Sequence, residues 1–547
     1  MATDILQTKI SQLLGQRYFK KSVLVRFLLF LILLIIWISV NGGLLPGFLR
    51  HRLPILRVGP ELNILYYFEE AERDGSKIRW SRATNTQAKL KAALTGKYDM
   101  IEADVILKGQ GTSKQAMTPI VSDLPAVDNE FTLKMWLQQV KKFTKGIKLD
   151  FRTIDAVEMS LQLLKRMKNE LKIPIWLHAD ILKGPYSSRL PVDATRFFRN
   201  VRTFFPTCTL SLGWTTGYHT DVSQAGYTWD MVLDMHDLII HWEISQPLVF
   251  SVRLAYIKNS IPQLKWLCDT LQASLLVWND NEDKPVLEDV MYVAYRFPPE
   301  KAFFDFQDEY LSSHLKRYRH FSKNYVHPLV LERDQVKFNP YAWVKMGLYI
   351  EENSILPSSE SLVLKSPAVY IVSISKLKSV ETLHLKGRVH FLNRKNQEAI
   401  NGQTGLSIFF RSFSYSDYEK ISGIRFFIGV NGDLQISGQH LGKNVPEFKK
   451  RARVTPGSAS CYRFDIVDLR HEVVMEINSL HDCDTLESVQ HEETSHISLR
   501  VNIPHELALG EQPYILKMED NKRVAVIDEL DIRTIYQTKK KKNMNSI

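Results

Sequence analysis

This chain has few of the features that usually announce a function. Four cysteines in 547 residues, Cys208, Cys268, Cys461 and Cys483, are too few for a disulfide scaffold and lack the close spacing of a metal motif. Cys461 and Cys483 fall in one late region, where they either pair in an oxidising compartment or remain buried thiols. No Asn is followed by x-Ser or x-Thr, which argues against a heavily glycosylated ectodomain, although translocation itself does not require glycosylation. There is no Gly-rich phosphate loop, no nucleophile elbow and no His-Glu-x-x-His helix, so kinase, serine-hydrolase and zincin chemistries find no support. The middle of the chain also lacks an excess of either charge. The formal net charge is +11, but eight basic residues against Asp4 in residues 1–60, together with Lys539 to Lys542, carry all of it. With residues 61–538 balanced, no basic excess is available for a polyanion, and a nucleic-acid partner is not expected.

Hydrophobic residues make up 44% of the chain and aromatics 11%, which excludes a disordered protein and allows at least one large core. The run from Phe27 to Val40 carries no charge and, with its apolar flanks, reaches bilayer length. Lys9, Arg17, Lys20, Lys21 and Arg26 precede it, so the amino terminus is expected to stay cytoplasmic while the bulk crosses the membrane. This reads as a single-pass signal anchor over 23–48 behind a tail of residues 1–22. A cleaved signal peptide fits less well, because the amino-terminal region is long and no small-x-small site follows.

From about residue 60 to 300, short apolar runs alternate with longer amphipathic ones, the pattern of repeated βα units. Strands are expected near 77–82, 100–106, 147–151, 174–179, 208–213, 248–254, 274–279 and 291–296, and eight is the number that closes a TIM barrel. Leu133, Trp136, Leu137 and Val140 have helical spacing, as do Phe197, Val201 and Phe204. A charged, aromatic connector is expected over 301–344. Short strand-like runs over 345–537 then suggest an antiparallel β-sandwich of jelly-roll kind, with Phe409, Phe410, Phe426 and Phe427 in its core. Residues 538–547 form a basic tail. The expected class is therefore α/β plus all-β, with an N-terminal transmembrane helix.

Several of the barrel runs contain or end in carboxylates. Glu102 and Asp104 lie two apart on one strand and so share a face. Asp150 ends the next strand and Asp180 falls on the one after, so three neighbouring strands would deliver acids to one barrel mouth. Oxygen ligands of this kind suit Mg²⁺ or Ca²⁺. Each acid taken singly is as well explained by a helix cap or by pairing with a cation such as Lys148.

The segments Glu102-Ala103-Asp104-Val105, Gly146-Ile147-Lys148-Leu149-Asp150-Phe151, Trp176 to Pro185, Pro191-Val192-Asp193-Ala194 and Leu210 to Thr216 together resemble the menorin-domain family. That resemblance covers about residues 61–300. It implies a distorted (β/α)₈ barrel of the phospholipase-C-like, glycerophosphodiester-phosphodiesterase-like superfamily, whose active relatives use a divalent ion and two histidines. It would make Glu102 and Asp104 ion ligands, with Asp150 a further one, and would set Asn85, Lys148, His178, Asp180 and Trp214 around the mouth. Arg82 and Asp123 stand where the two histidines are expected, and His178 where an Asn is expected. Arg cannot act as a base, and Asp123 would need a raised pKa to donate a proton, so turnover should be impaired. An Arg82 that reached the ion's place and paired with Glu102 would exclude the ion altogether.

Three functions compete on these grounds. The first is a membrane-anchored, catalytically impaired menorin-like protein that binds at the cell surface or in a secretory lumen, with a protein partner there and a phospholipid or phosphodiester as a possible ligand. The second is an active metal-dependent phosphodiesterase, with Asp123 or His178 moving protons. The third places carbohydrate or protein binding in the β-sandwich.

Overall fold

The computed structural model describes residues 63–534, apart from a few loop positions in the first part and longer stretches in the second, of which 316–342 is the longest. The expected anchor at 23–48 and the two tails lie outside the described residues. Among the described residues, no helix is long and apolar enough to cross a membrane.

The first part is a nearly closed barrel. Its strands are β1 (Trp80–Ser81), β2 (Met100–Leu107), β3 (Pro119–Val121), β4 (Gly146–Phe151), β5 (Ile175–Lys183), β6 (Thr209–Thr215), β7 (Leu248–Arg253), β8 (Ser274–Trp278) and β9 (Ala302–Asp305). Eight of them are parallel neighbours in sequence order, while β3 pairs antiparallel on the side of β2. Helices alternate with the strands, and Thr86, Thr132, Asp193 and Thr228 cap four of them by accepting a backbone N–H three residues on. At the seam beside β9, a Cβ on Gly75 would lie 2.3 Å from the Ala302 carbonyl oxygen, so only glycine lets the turn Gly75–Lys77 approach this closely.

One stave is not where the sequence pattern put it. Residues 291–296 belong to the helix Leu287–Arg296, and the eighth parallel strand is β9, inside the stretch expected to be a connector. Val290, Val293, Ala294 and Phe297 are all buried and recur at helical intervals, a period obscured by the short Val-Met-Tyr-Val run.

Alternation along the strands divides the side chains into two sets. Outward residues such as Ala103, Val105, Leu149, Leu177, Leu212 and Phe250 pack against the helix layer in one large core. Inward residues change character along the barrel axis. Near the amino-terminal ends Trp80, Met100, Trp176, Val249 and Phe303 form an apolar floor, plugged from below by Ile64, Leu65 and Ile78. Towards the carboxyl-terminal ends, Glu102, Asp104, Lys148, Asp150, His178, Ser211, Ser251 and Asp305 are buried polar groups.

Past residue 343 two antiparallel seven-stranded sheets follow. One runs through Trp343–Val344, Ala368–Val372, Ile515–Met518, Gly405–Phe410, Gly423–Gly429, Asp433–Gln439 and Lys449–Arg453. The other includes Leu383–Leu392, Cys461–Asp468 and Glu472–Leu480. Leu406, Ile408, Phe410 and Phe426 of the first and Val389, Phe464, Ile466 and Met475 of the second share one core, which makes the pair a sandwich. Phe409 and Phe427 do not join that core, because strand alternation puts them on the opposite face of their sheet. Cys461 and Cys483 form a disulfide, and Cys208 and Cys268 are buried free thiols.

Candidate functional site at the barrel mouth

The register of the parallel strands explains why the acids meet. Asp104 pairs with Asp150 across β2 and β4, and Glu102 pairs with Lys148 one inward position below. Asp150 in turn pairs with His178 of β5. Glu102, Asp104 and Asp150 therefore offer three carboxylate oxygens within 4.8 Å of one another, all in buried side chains.

Each acid is held by its own contacts. Ala83, in the left-handed region at φ 48°, donates its backbone N–H to Glu102 at 2.7 Å. Asn85 donates its amide to Asp104 at 2.6 Å and accepts the Asp104 backbone N–H at 3.1 Å, which fixes the carboxylate from both sides. Burial first, then the charge of Asp104, pushes the Glu102 carboxyl up to about 8. Burial also raises Asp104, against the opposing pull of Arg152. At Asp150 burial acts in the same sense, but Arg152, His178 and Lys148 outweigh it and hold the group below the ordinary carboxylate range.

Arg152, which the sequence reading did not single out, is the main counter-charge. Its Nε lies 2.8 Å from Asp104 and 3.2 Å from Asp123, and its Nη1 lies 3.5 Å from Asp150. Burial would lower its pKa, yet Asp150, Asp104 and Asp123 together hold it well above the usual guanidinium value. The signal was available in the sequence: Arg152 stands two residues past Asp150 and so continues the inward parity of β4.

Arg82 does not reach the acid trio. It faces Asp305 of β9 at 3.6 Å, donates to the Asn279 carbonyl at 2.9 Å and lies over the Trp278 ring. The condition under which Arg82 would exclude an ion, a pair with Glu102, is therefore not met. The sequence pattern puts Asp305 in a connector, yet its run, Ala302 to Phe306, has the same apolar-then-carboxylate form as the other staves. Burial raises the Asp305 carboxyl and Arg82 opposes the rise. Asp123 has 47% of its side chain exposed and reaches the cluster only through Arg152.

His178 is fixed by β6. Its Nδ1 lies 2.9 Å from the Ser211 carbonyl oxygen, which can only accept, so Nδ1 carries a hydrogen. Nε2 then faces Asp180 at 3.5 Å and Asp150 at 3.9 Å. Gly213 makes room for this group, since a Cβ there would lie 2.3 Å from Asp180 and 3.1 Å from the His178 ring. Arg189 approaches Asp180 at 3.7 Å. Trp214, expected at the mouth, faces outward instead: it is one residue out of phase with Gly213 and packs on Tyr227 and Phe250. A further pair missed in the sequence is Arg253, at the end of β7, which forms a forked ion pair with Asp283 and donates to the Gly217 carbonyl.

The mouth thus combines three close hard-oxygen donors with Lys148, Arg152 and Arg189 around them. Such a donor set fits a divalent cation, and the surrounding cations suit an anionic ligand group. Apart from His178, no imidazole touches the acid cluster among the described residues.

Among solved structures, a functionally unknown protein from Saccharomyces cerevisiae aligns with TM-score 0.23 and 9% identity, covering 36% of this chain and 96% of that one. A Caenorhabditis elegans galectin, LEC-6, aligns with TM-score 0.19 and 8% identity, covering 31% and 92%. Superpositions this loose carry no argument. The sequence is more informative: it is 40% identical over 248 residues to Protein FAM151B of Homo sapiens, spanning 44% of this chain and 88% of that protein. Residues 74–311 match the Menorin N-terminal domain and residues 353–519 the Menorin C-terminal domain. Barrel and sandwich are thus matched in the right order, and the chain belongs to the menorin family.

Proposed function

We propose that this chain is a membrane-anchored menorin whose barrel mouth binds a divalent cation and, beside it, a phosphodiester-bearing ligand such as a phospholipid headgroup, without turning that ligand over at an enzymatic rate. Glu102, Asp104 and Asp150 would hold the ion, whose charge would polarise a phosphoryl oxygen. Lys148, Arg152 and Arg189 are placed to meet the remaining phosphate oxygens. The superfamily reading, a phospholipase-C-like barrel, is part of this proposal.

The observation that carries it is the contrast between an intact acid trio and the two positions of the expected histidines. Arg82 is committed to Asp305, and a guanidinium does not take up a proton. Asp123 is half exposed and paired with Arg152. Loss of one general acid or base removes about 10²–10⁴ of rate, so loss of both leaves binding as the surviving role. The Cys461–Cys483 disulfide suits a bulk that lies outside the cell or in a secretory lumen, on the far side of a 23–48 anchor, where adhesion to a surface protein is the corresponding role.

The test is a pair of measurements on the purified full-length chain. Calorimetric titration with Mg²⁺ and Ca²⁺ should give saturable binding that Glu102→Gln abolishes, while glycerophosphocholine should remain unhydrolysed with either ion. Metal-dependent turnover that His178→Ala eliminates would replace this reading with an active phosphodiesterase using His178.

A further inference from the structure

The first sheet of the sandwich has an outer face unlike an ordinary solvated one. Strand alternation sends Leu406, Ile408, Ile424, Phe426, Leu434 and Ile436 into the core. The intervening residues point the other way and line up across the strands. One row, set by register, runs Lys517, Ser407, Phe427, Gln435, Arg451. The next runs Phe409, Arg425, Ser437, Lys449. The longer row crosses four inter-strand steps, roughly 19 Å. A concavity of about 820 Å³ lies over these rows, lined by Arg425, Lys449, Arg451, Arg453 and Lys517, with Asp433 as its one acid among the described residues. Asp433 faces Arg453 at 3.5 Å, so the groove keeps a strong positive excess in a chain whose residues 61–538 are neutral overall.

Lysine and arginine on an edge strand often serve only to prevent sheet-to-sheet pairing. That explains Lys449, Arg451 and Arg453, which lie on the edge strand Lys449–Arg453. It does not explain Arg425 and Lys517, which sit on interior strands of the same face. Arg425 lies over the Phe427 ring at 4.7 Å and donates to the Ser407 hydroxyl at 2.8 Å, so its guanidinium is held in place within the groove. The neutral groups between the cations are amides and a hydroxyl, Gln435, Gln439 and Ser437, which are linked to one another by hydrogen bonds. The buried Ser437 hydroxyl accepts from both amides and so orients Gln435 and Gln439, whose part-exposed amides can exchange hydrogen bonds with sugar hydroxyls.

We propose that this face binds an acidic polysaccharide, a chain of sugar rings bearing sulfate or carboxylate groups. The cations engage the acidic substituents, and the Gln435 and Gln439 amides engage the ring hydroxyls. A single-stranded nucleic acid would need exposed rings for base stacking, and Phe409 and Phe427 are only 4–5% exposed. The site is separate from the barrel mouth and does not depend on its chemistry.

The experiment measures binding of a heparin-type octasaccharide to the full-length chain at physiological salt. A neutral octasaccharide, a single-stranded DNA and a polyglutamate of matching charge serve as comparisons. Arg451→Glu and Lys517→Gln should each weaken octasaccharide binding roughly tenfold or more, as expected for loss of a charged contact. Lys450→Glu makes the same charge change on the same edge strand, but Lys450 points away and donates to the Arg500 carbonyl, so it should change affinity little. No binding of the octasaccharide would overturn the proposal. So would equal losses in Arg451→Glu and Lys450→Glu, no loss in Arg451→Glu and Lys517→Gln, or equally tight binding of the DNA or polyglutamate.

Discussion

The sharpest consequence of the acid trio concerns how the barrel's stability responds to pH and to a cation. Three carboxylates within 4.8 Å repel one another by about 3 kcal/mol per ionised pair at an effective dielectric near 20. Without a cation the barrel relieves this by keeping a proton on Glu102, whose carboxyl is pushed from its ordinary 4.5 up to about 8. A carboxyl raised in the folded state holds a proton that the unfolded chain has already released. Its contribution is therefore complete below about 4.5 and declines as pH rises to about 8, so the cation-free barrel should lose stability across that window. A bound divalent cation replaces the proton. Its affinity should climb about tenfold per pH unit up to about 8 and level off above, since one proton is displaced. At a cation concentration 100-fold above Kd the gain is about 2.7 kcal/mol, or roughly 5–10 °C in Tm for a domain of this size. Tryptophan fluorescence isolates the barrel, because eight of the ten tryptophans lie between Trp80 and Trp278 and none lies beyond Trp343. Glu102→Gln imitates the protonated form: its Tm in chelator at pH 7 should match the parent's, and its cation response should vanish. A variant that still responds to Mg²⁺ or Ca²⁺, or a parent that responds to neither, would refute the reasoning.

Other substitutions follow from the same geometry. Arg152→Gln leaves Asp104 buried without its nearest counter-charge, so the cation-free barrel should lose about 3 kcal/mol in urea titrations followed by tryptophan fluorescence, and added cation should restore most of it. Gly213→Ala drives a methyl to 2.3 Å from Asp180, which should destabilise the barrel by about 1–3 kcal/mol and weaken cation binding seen by calorimetry. Cys461→Ser opens a loop of sequence separation 22, so the sandwich should lose about 3 kcal/mol in urea titrations followed by far-UV circular dichroism.

Much of this architecture was legible because parallel strands buried on both faces leave strong marks. Glu102, Asp104 and Asp150 could be assigned to one mouth before any coordinates, since strand parity and the order of neighbouring staves determine it. The disulfide was not legible, because spacing alone cannot say whether the chain brings two cysteines together. The eighth stave failed for a different reason. Val290, Val293, Ala294 and Phe297 carry a helical period, but the adjacent Met291 and Tyr292 make the stretch look continuously apolar, as a buried strand does. The true strand, Ala302–Asp305, has four residues and gives periodicity almost nothing to work on. Trp214 was lost through parity: a motif match takes in consecutive residues, whereas a strand sends alternate ones to opposite faces.

The place of Arg152 shows what motif reading leaves out of an electrostatic site. Motifs of acids and histidines carry no information about the cations that keep buried acids in place. The physical problem in the mouth is instead how a fold tolerates six carboxylates, Glu102, Asp104, Asp150, Asp180 and Asp305 on β2, β4, β5 and β9 and Asp123 in the loop after β3. Arg82, Lys148, Arg152 and Arg189 answer part of that excess, and the raised Glu102 carboxyl answers more by keeping its proton. Arg152 touches three of the six carboxylates, and it lies on the same stave as Asp150, so it cannot leave the mouth without a change of rotamer. A cation entering between Glu102, Asp104 and Asp150 therefore competes with this guanidinium for Asp104 and Asp150. On the proposed reading, the strength of ion binding would depend on how far Arg152 yields towards the exposed Asp123 as well as on the acids themselves.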